Sequence, residues 1–168
     1  MAQEDDIAVV RSLFERFNEG DLDGAAALVT DDFELSDLGA GRTFHGSAGL
    51  REWLDLFRTA LPDARTEIVN VLADGGRVAS EHIGRGTHDG PFVTPAGSIP
   101  PTGRSVELRI GEFYELRDGR IARLSAYYDT ATMLRQLGLL PAQGSIAERA
   151  MTALMGAGVK VAGALRRG

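Results

Sequence analysis

Apolar residues recur at helical spacing through the first third of the chain and alternate along most of the remainder. Ile7, Val10, Leu13, Phe14 and Phe17 fall on one stripe and predict an amphipathic helix over residues 5–18. Asn18-Glu19-Gly20-Asp21 is a stop-and-restart signal, and Leu22 to Val29 reads as a second short helix. Phe33-Glu34-Leu35 is short enough for an edge strand, and Gly39 to Gly46 is loop-like. Ser47 to Phe57 is expected to form a third helix, capped by Ser47, with Leu50, Trp53, Leu54 and Phe57 on one side. Leu61-Pro62-Asp63 ends it.

Beyond that point alternation predicts four strands: Arg65–Ala73, Arg77–His88, Ser105–Leu116 and Arg120–Asp129. Asp74-Gly75-Gly76 and Asp118-Gly119 have the composition of hairpin turns. Gly97 to Gly103 forms a long proline-bearing connection between the middle strands. Helices followed by a run of antiparallel strands indicate an α+β fold with the helices on one face of the sheet. Thr132 to Leu140 reads as a short helix stopped by Pro141. The tail, Ser145 to Gly168, reads as a further helix carrying Ile146, Leu154, Met155, Val159 and Val161. The expected division is a domain over residues 1–143 and a C-terminal helical extension over 144–168.

Composition narrows the function. At 168 residues, 43% apolar and 25% charged, the chain suits one globular domain. It has no cysteine, which removes disulfides, thiolate metal sites and a cysteine nucleophile together. His45, His82 and His88 form no zinc spacing, so no metal is expected. A net charge of −6 argues against nucleic acid as a partner. No apolar run approaches the ~20 residues of a membrane span, and the acidic start, Met1 to Asp6, is unlike a secretory signal; a cytoplasmic protein is the expectation.

Six short motifs occur in order. They are Phe17-Asn18-Glu19-Gly20-Asp21-Leu22-Asp23, Leu61-Pro62-Asp63, Gly86-Thr87-His88-Asp89-Gly90, Pro101-Thr102-Gly103-Arg104, Asp118-Gly119-Arg120-Ile121 and Gln136-Leu137-Gly138. Together they resemble the SnoaL-like polyketide (ester) cyclases of the NTF2-like superfamily, over residues 7–140. The resemblance implies a curved antiparallel sheet wrapped around helices as a cone with an apolar pocket. It further implies cofactor-free ring closure of a polyketide by intramolecular aldol chemistry, a homodimer paired through the sheet, and an aspartate as general acid/base. That aspartate lies seven residues before the glutamine of Gln-Leu-Gly, which is Asp129 here. A histidine near Ser36, a tryptophan at Ser125 and an arginine at Glu115 are common in the family and absent from this chain.

The residues themselves leave alternatives open. With a two-residue turn at Asp118-Gly119, Glu112 would pair with Ser125 and Leu108 with Asp129. Glu112 and Tyr114 would then share a face with Tyr127 and Asp129, a pair of carboxyls suited to acid/base work. Asp129 could instead cap the helix after it, and Glu112 could be a surface partner of Arg123. His88 and His82 share parity and could hold a substrate oxygen, or could simply be satisfied by backbone. Trp53 and Phe14 could be substrate platform or core. His45 has no expected role. Gly84 to Gly90 lacks the lysine and helix of a phosphate loop. The expected partner is an apolar, oxygenated small molecule. The rivals to a cyclase are a non-catalytic binding module, and an epoxide-opening pocket in which Arg109 or Arg123 joins Glu112 and Asp129.

Overall fold

Strand β1 (Val29–Asp37) lies between the short edge strand β2 (Arg42–His45) and the last strand of the chain, β8 (Arg120–Tyr128). The computed structural model describes residues 2–94 and 97–165, and the side chains of residues 3–94 and 97–156. With β3 (Arg65–Asp74), β4 (Arg77–Thr87) and β7 (Ser105–Arg117), these strands form one sheet in the order β2-β1-β8-β7-β4-β3. The neighbours pair antiparallel except β1 with β8, which run parallel. Phe33-Glu34-Leu35 therefore belongs to a longer, interior strand, and His45, expected in a loop, ends the edge strand. The segment after His88 folds into a separate small hairpin of β5 (Phe92–Thr94) and β6 (Gly97–Ile99).

The helices track the apolar stripes. α1 (Ala2–Glu19) and α3 (Gly46–Ala60) bring Val10, Leu13, Phe14, Leu50, Trp53 and Leu54 onto the concave face. There they bury Leu35, Val78, Tyr114, Ile121, Leu124 and Ala126 from the sheet. Full burial of such side chains stabilises by ~1.5–3 kcal/mol each, which is what holds helices and sheet together. The short α2 (Leu22–Ala26) is capped by Asp21, whose carboxylate accepts from Gly24 N at 2.8 Å. α4 (Thr130–Gln136) closes one end over a second apolar cluster of Val106, Leu108, Met133 and Leu137. The α+β cone expected from the sequence is the fold observed.

α5 (Ile146–Leu165) comes after Pro141. Glu148 ties its start to α4, pairing with Arg135 at 3.0 Å and accepting from Gly144 N at 2.6 Å. Ile146, Leu154 and Met155 are exposed. The side chains of Val159 and Val161, and residues 166–168, lie outside the described residues.

The β7–β8 hairpin differs from expectation in one consequential way. Its turn has two residues, Asp118 at φ 52° and Gly119 at φ 72°, as a primed turn requires. Arg117 pairs with Arg120 and Leu116 with Ile121, but Glu115 then pairs with Arg123. Ala122 is the extra residue of a β-bulge. Every later residue of β8 is thereby shifted by one, which reverses the faces, because side chains alternate with period two. Glu112 pairs with Ala126, not Ser125, and Ala126 and Tyr128 point inward where Ser125 and Tyr127 had been expected.

Candidate functional site

A cavity of about 110 Å³ opens between the concave face of the sheet and helices α1, α3 and α4. Its wall is mostly apolar: Leu13, Phe14 and Phe17 from α1; Trp53, Leu54 and Phe57 from α3; Leu108 and Ile110 from β7; Met133 and Leu137 from α4. Against this wall stand a few polar groups, among them those of His82, His88, Glu112 and Tyr128, with Arg65, Thr66 and Arg85 also on the lining. An apolar cleft with a small number of placed polar groups is the usual form of a small-molecule site.

Glu112 is 3% exposed. Burial, with a further contribution from the negative charge of Asp37, raises its pKa to about 7, although the Tyr114 hydroxyl donates to its Oε2 and works in the other direction. Burial and the Glu112 carboxylate hold the Tyr114 phenol protonated, with its pKa well above the ordinary value. Glu112 thus exchanges a proton near neutrality, where an ordinary glutamate would be fully ionised.

His82 lies beside it, with Nδ1 3.8 Å from Glu112 Oε2 and no hydrogen-bond partner of its own in the protein. The Phe14 ring packs edge-on against the imidazole at 4.6 Å between centroids. Burial lowers the pKa of His82 to about 4, so the ring is neutral at pH 7.

A second carboxyl group stands behind the wall. Asp37, at the end of β1, is 4% exposed. It accepts from Trp53 Nε1 at 2.9 Å, the Tyr128 hydroxyl at 3.1 Å and Ala40 N at 2.9 Å. Trp53 and Tyr128 both line the cavity, so Asp37 orients two wall residues and supplies negative potential to the floor.

His88 is 1% exposed. Its backbone N donates to Arg104 O at 2.9 Å and its carbonyl accepts from Thr102 N and Gly103 N. Its Nδ1 faces Thr102, and its Nε2 is buried without a partner in the protein.

The structure brings together five of the residues singled out in the sequence: Phe14, Trp53, His82, His88 and Glu112. Two others lie elsewhere. Tyr127 is 48% exposed on the convex face, against Phe113, because the bulge reverses its side. Asp129 is exposed and caps α4, accepting from Thr132 N at 2.9 Å and Thr132 Oγ1 at 2.6 Å. Those bonds lower its pKa, the opposite of what a base working near neutrality requires. Arg109 pairs with the half-buried Glu81 and Arg123 with Glu115, and both arginines are exposed, so neither joins Glu112 as the epoxide-opening arrangement needs. Asp37 and Tyr128 were not singled out in the sequence, and Tyr114 was expected on the face of Glu112 without a role of its own.

Among the described residues no group of three or more histidine, aspartate or glutamate side chains is placed to hold a metal ion, and no helix is long and apolar enough to cross a membrane.

No curated protein matches the chain. Solved structures do. A SnoaL-like protein of Jannaschia sp. CCS1, described as a candidate polyketide cyclase, superposes with a TM-score of 0.73 at 19% identity, covering 83% of this chain and 95% of its own. AclR of Streptomyces galilaeus, described as a candidate hydroxylase, gives 0.71 at 23% identity, covering 83% and 99%. IdmH of Streptomyces antibioticus, described as a candidate polyketide cyclase, gives 0.66 at 30% identity, covering 79% and 98%. The family model for SnoaL-like polyketide cyclases matches residues 7–137, and with that the chain belongs to the SnoaL-like polyketide cyclase family.

Proposed function

We propose that the protein is a cofactor-independent acid/base enzyme acting on an apolar, oxygenated substrate of the polyketide kind, and that Glu112 carries the proton. The observation that supports this most is the Glu112 carboxyl, 3% exposed on the floor of an apolar cavity and poised at about 7. As the carboxylate, Glu112 removes a proton from a carbon next to a carbonyl. The resulting enolate carbon forms a bond to a second carbonyl of the same molecule. The alkoxide that develops takes the proton back from Glu112, so no external acid or base is consumed. His82 stands within reach of the same space to hydrogen-bond the enolate oxygen, where a donor in a water-poor site is worth most. Asp129, in this reading, holds α4 in place.

The test is deuterium exchange at the carbon next to the carbonyl of 2-tetralone in D2O, followed by proton NMR. The wild-type protein should accelerate exchange over buffer, Glu112→Gln should abolish the acceleration, and Asp129→Asn should keep it. Binding of 2-tetralone without exchange would make the protein a ligand-binding member of the family. Loss of exchange in Asp129→Asn alone would return the catalytic role to Asp129.

A further inference from the structure

At the far end of the cavity from Glu112, His88 is locked in an orientation that leaves one ring nitrogen without work. The backbone N–H of Thr102 points at His88 Nδ1 at 3.2 Å, and is shared with the His88 carbonyl at 3.1 Å. A nitrogen that accepts must present its lone pair, which puts the ring proton on Nε2. The Thr102 hydroxyl, 3.1 Å from Nδ1, can donate to the same nitrogen. Nε2–H is then a donor buried in an apolar wall with no acceptor in the protein. Such a group costs free energy unless a ligand or water satisfies it.

Its surroundings make the position rigid. On one side Thr87 donates from N at 2.6 Å and Oγ1 at 2.9 Å to the Asp63 carboxylate. On the other, Gly90 donates to Ala60 O at 3.1 Å and lies so close to α3 that a Cβ there would sit 1.8 Å from Thr59 O. His88 is six residues beyond His82, about 20 Å of extended chain at ~3.3 Å per residue. Between them Gly84 forms part of the cavity lining and puts no side chain into it.

We infer that His88 Nε2–H anchors an acceptor oxygen of the substrate at the end of the cavity remote from Glu112. The site is therefore matched to an extended apolar molecule with a carbonyl-type oxygen well separated from the carbon that exchanges its proton. The inference deepens the proposed function and takes from it only the place of the reacting carbon.

The experiment is an equilibrium one, so it does not depend on proton transfer at Glu112. Nitrogen-15 NMR of the histidine rings should show the His88 proton on Nε2. Titration with 2-acetylnaphthalene should shift that N–H resonance, and 2-ethylnaphthalene, of nearly the same shape but without the oxygen, should not. The ketone should bind about three- to tenfold more tightly, the worth of one buried hydrogen bond. His88→Phe should remove the preference, and His88→Gln, whose amide reaches a similar position, should restore part of it. A ring proton on Nδ1, a ketone that binds no tighter than the hydrocarbon (or not at all), or an N–H resonance unmoved at ketone saturation would overturn the inference. These readings on the wild-type protein stand even if a variant fails to fold.

Discussion

Asp37 and Glu112 occupy one row across the sheet, each paired with Ala126, which stands between them. Only the small side chain of Ala126 stands between them in that row. Negative charge at Asp37 then raises the pKa of Glu112 beyond what burial alone would do. Three donors satisfy Asp37, whereas Glu112 has the Tyr114 hydroxyl and an unpaired His82 beside it. Two carboxyls in different environments are the arrangement that lets one shape the field and the other exchange the proton.

That arrangement has a signature in stability against pH. For Glu112 the folded state holds its proton up to about 7, while the unfolded chain releases it near the ordinary value of 4.5. Its contribution is fully present below 4.5 and is lost as pH rises through 7, on the order of 3 kcal/mol. His82 acts in the opposite sense: its pKa falls from 6.5 to about 4, so its contribution is present above 6.5 and lost as pH falls through 4. Denaturant melts from pH 4 to 8 should show Glu112→Gln gaining on wild type as pH rises from 4.5 to 7 and holding that gain above it. His82→Phe should gain below pH 6. Parallel profiles for all three proteins would contradict the shifts.

Trp53→Phe should be costly for a reason other than lost volume. It removes the indole N–H from Asp37, leaving a buried carboxylate short of a donor, at about 1–3 kcal/mol. Chemical denaturation checks this, and a loss within about 0.5 kcal/mol, the scatter of an ordinary surface substitution, would show that Asp37 finds another donor.

Asp129 should behave as a cap. Asp129→Asn can still accept from Thr132 N and should melt nearly as wild type, while Asp129→Ala should lose about 1 kcal/mol. Equal effects of the two substitutions on thermal stability would argue against the capping role.

Much of this was legible in the chain. The stripes of α1 and α3, the Asp118-Gly119 turn and the α+β order arise from periodicity and turn chemistry, which act locally. The faces of β8 were not legible in the same way, because one bulge residue reverses them. A trace of it exists: the buried residues run Ile121, Leu124, Ala126, and the three-residue step between the first two breaks strict alternation. Asp37 was hidden by ending β1 at Leu35, although it continues the inward series Phe33, Leu35, Asp37. The link between His88 and Thr102 joins two loops, which neither periodicity nor local propensity encodes.

Self-association is the expectation that bears on the tail. Exposed Leu72, Phe113 and Tyr127, together with Ile146, Leu154 and Met155, are apolar surface suited to a second copy. Light scattering at micromolar concentration should give a dimer, and truncation after Gln143 should weaken association while leaving binding of 2-tetralone unchanged. A truncated protein that keeps its mass and loses the ligand would make α5 a cover for the cavity.

The role assigned to Glu112 depends on a carboxyl that exchanges its proton near neutrality, and that can be measured without any substrate. Carbon-13 NMR of the side-chain carboxyls, with Glu112→Gln to assign the resonance, gives its titration directly. A midpoint close to 7 is expected, moving down in Asp37→Asn as the neighbouring charge is removed. A midpoint in the ordinary range near 4.5 would leave Glu112 ionised throughout and unable to return a proton to the product, and the proposed mechanism would fail.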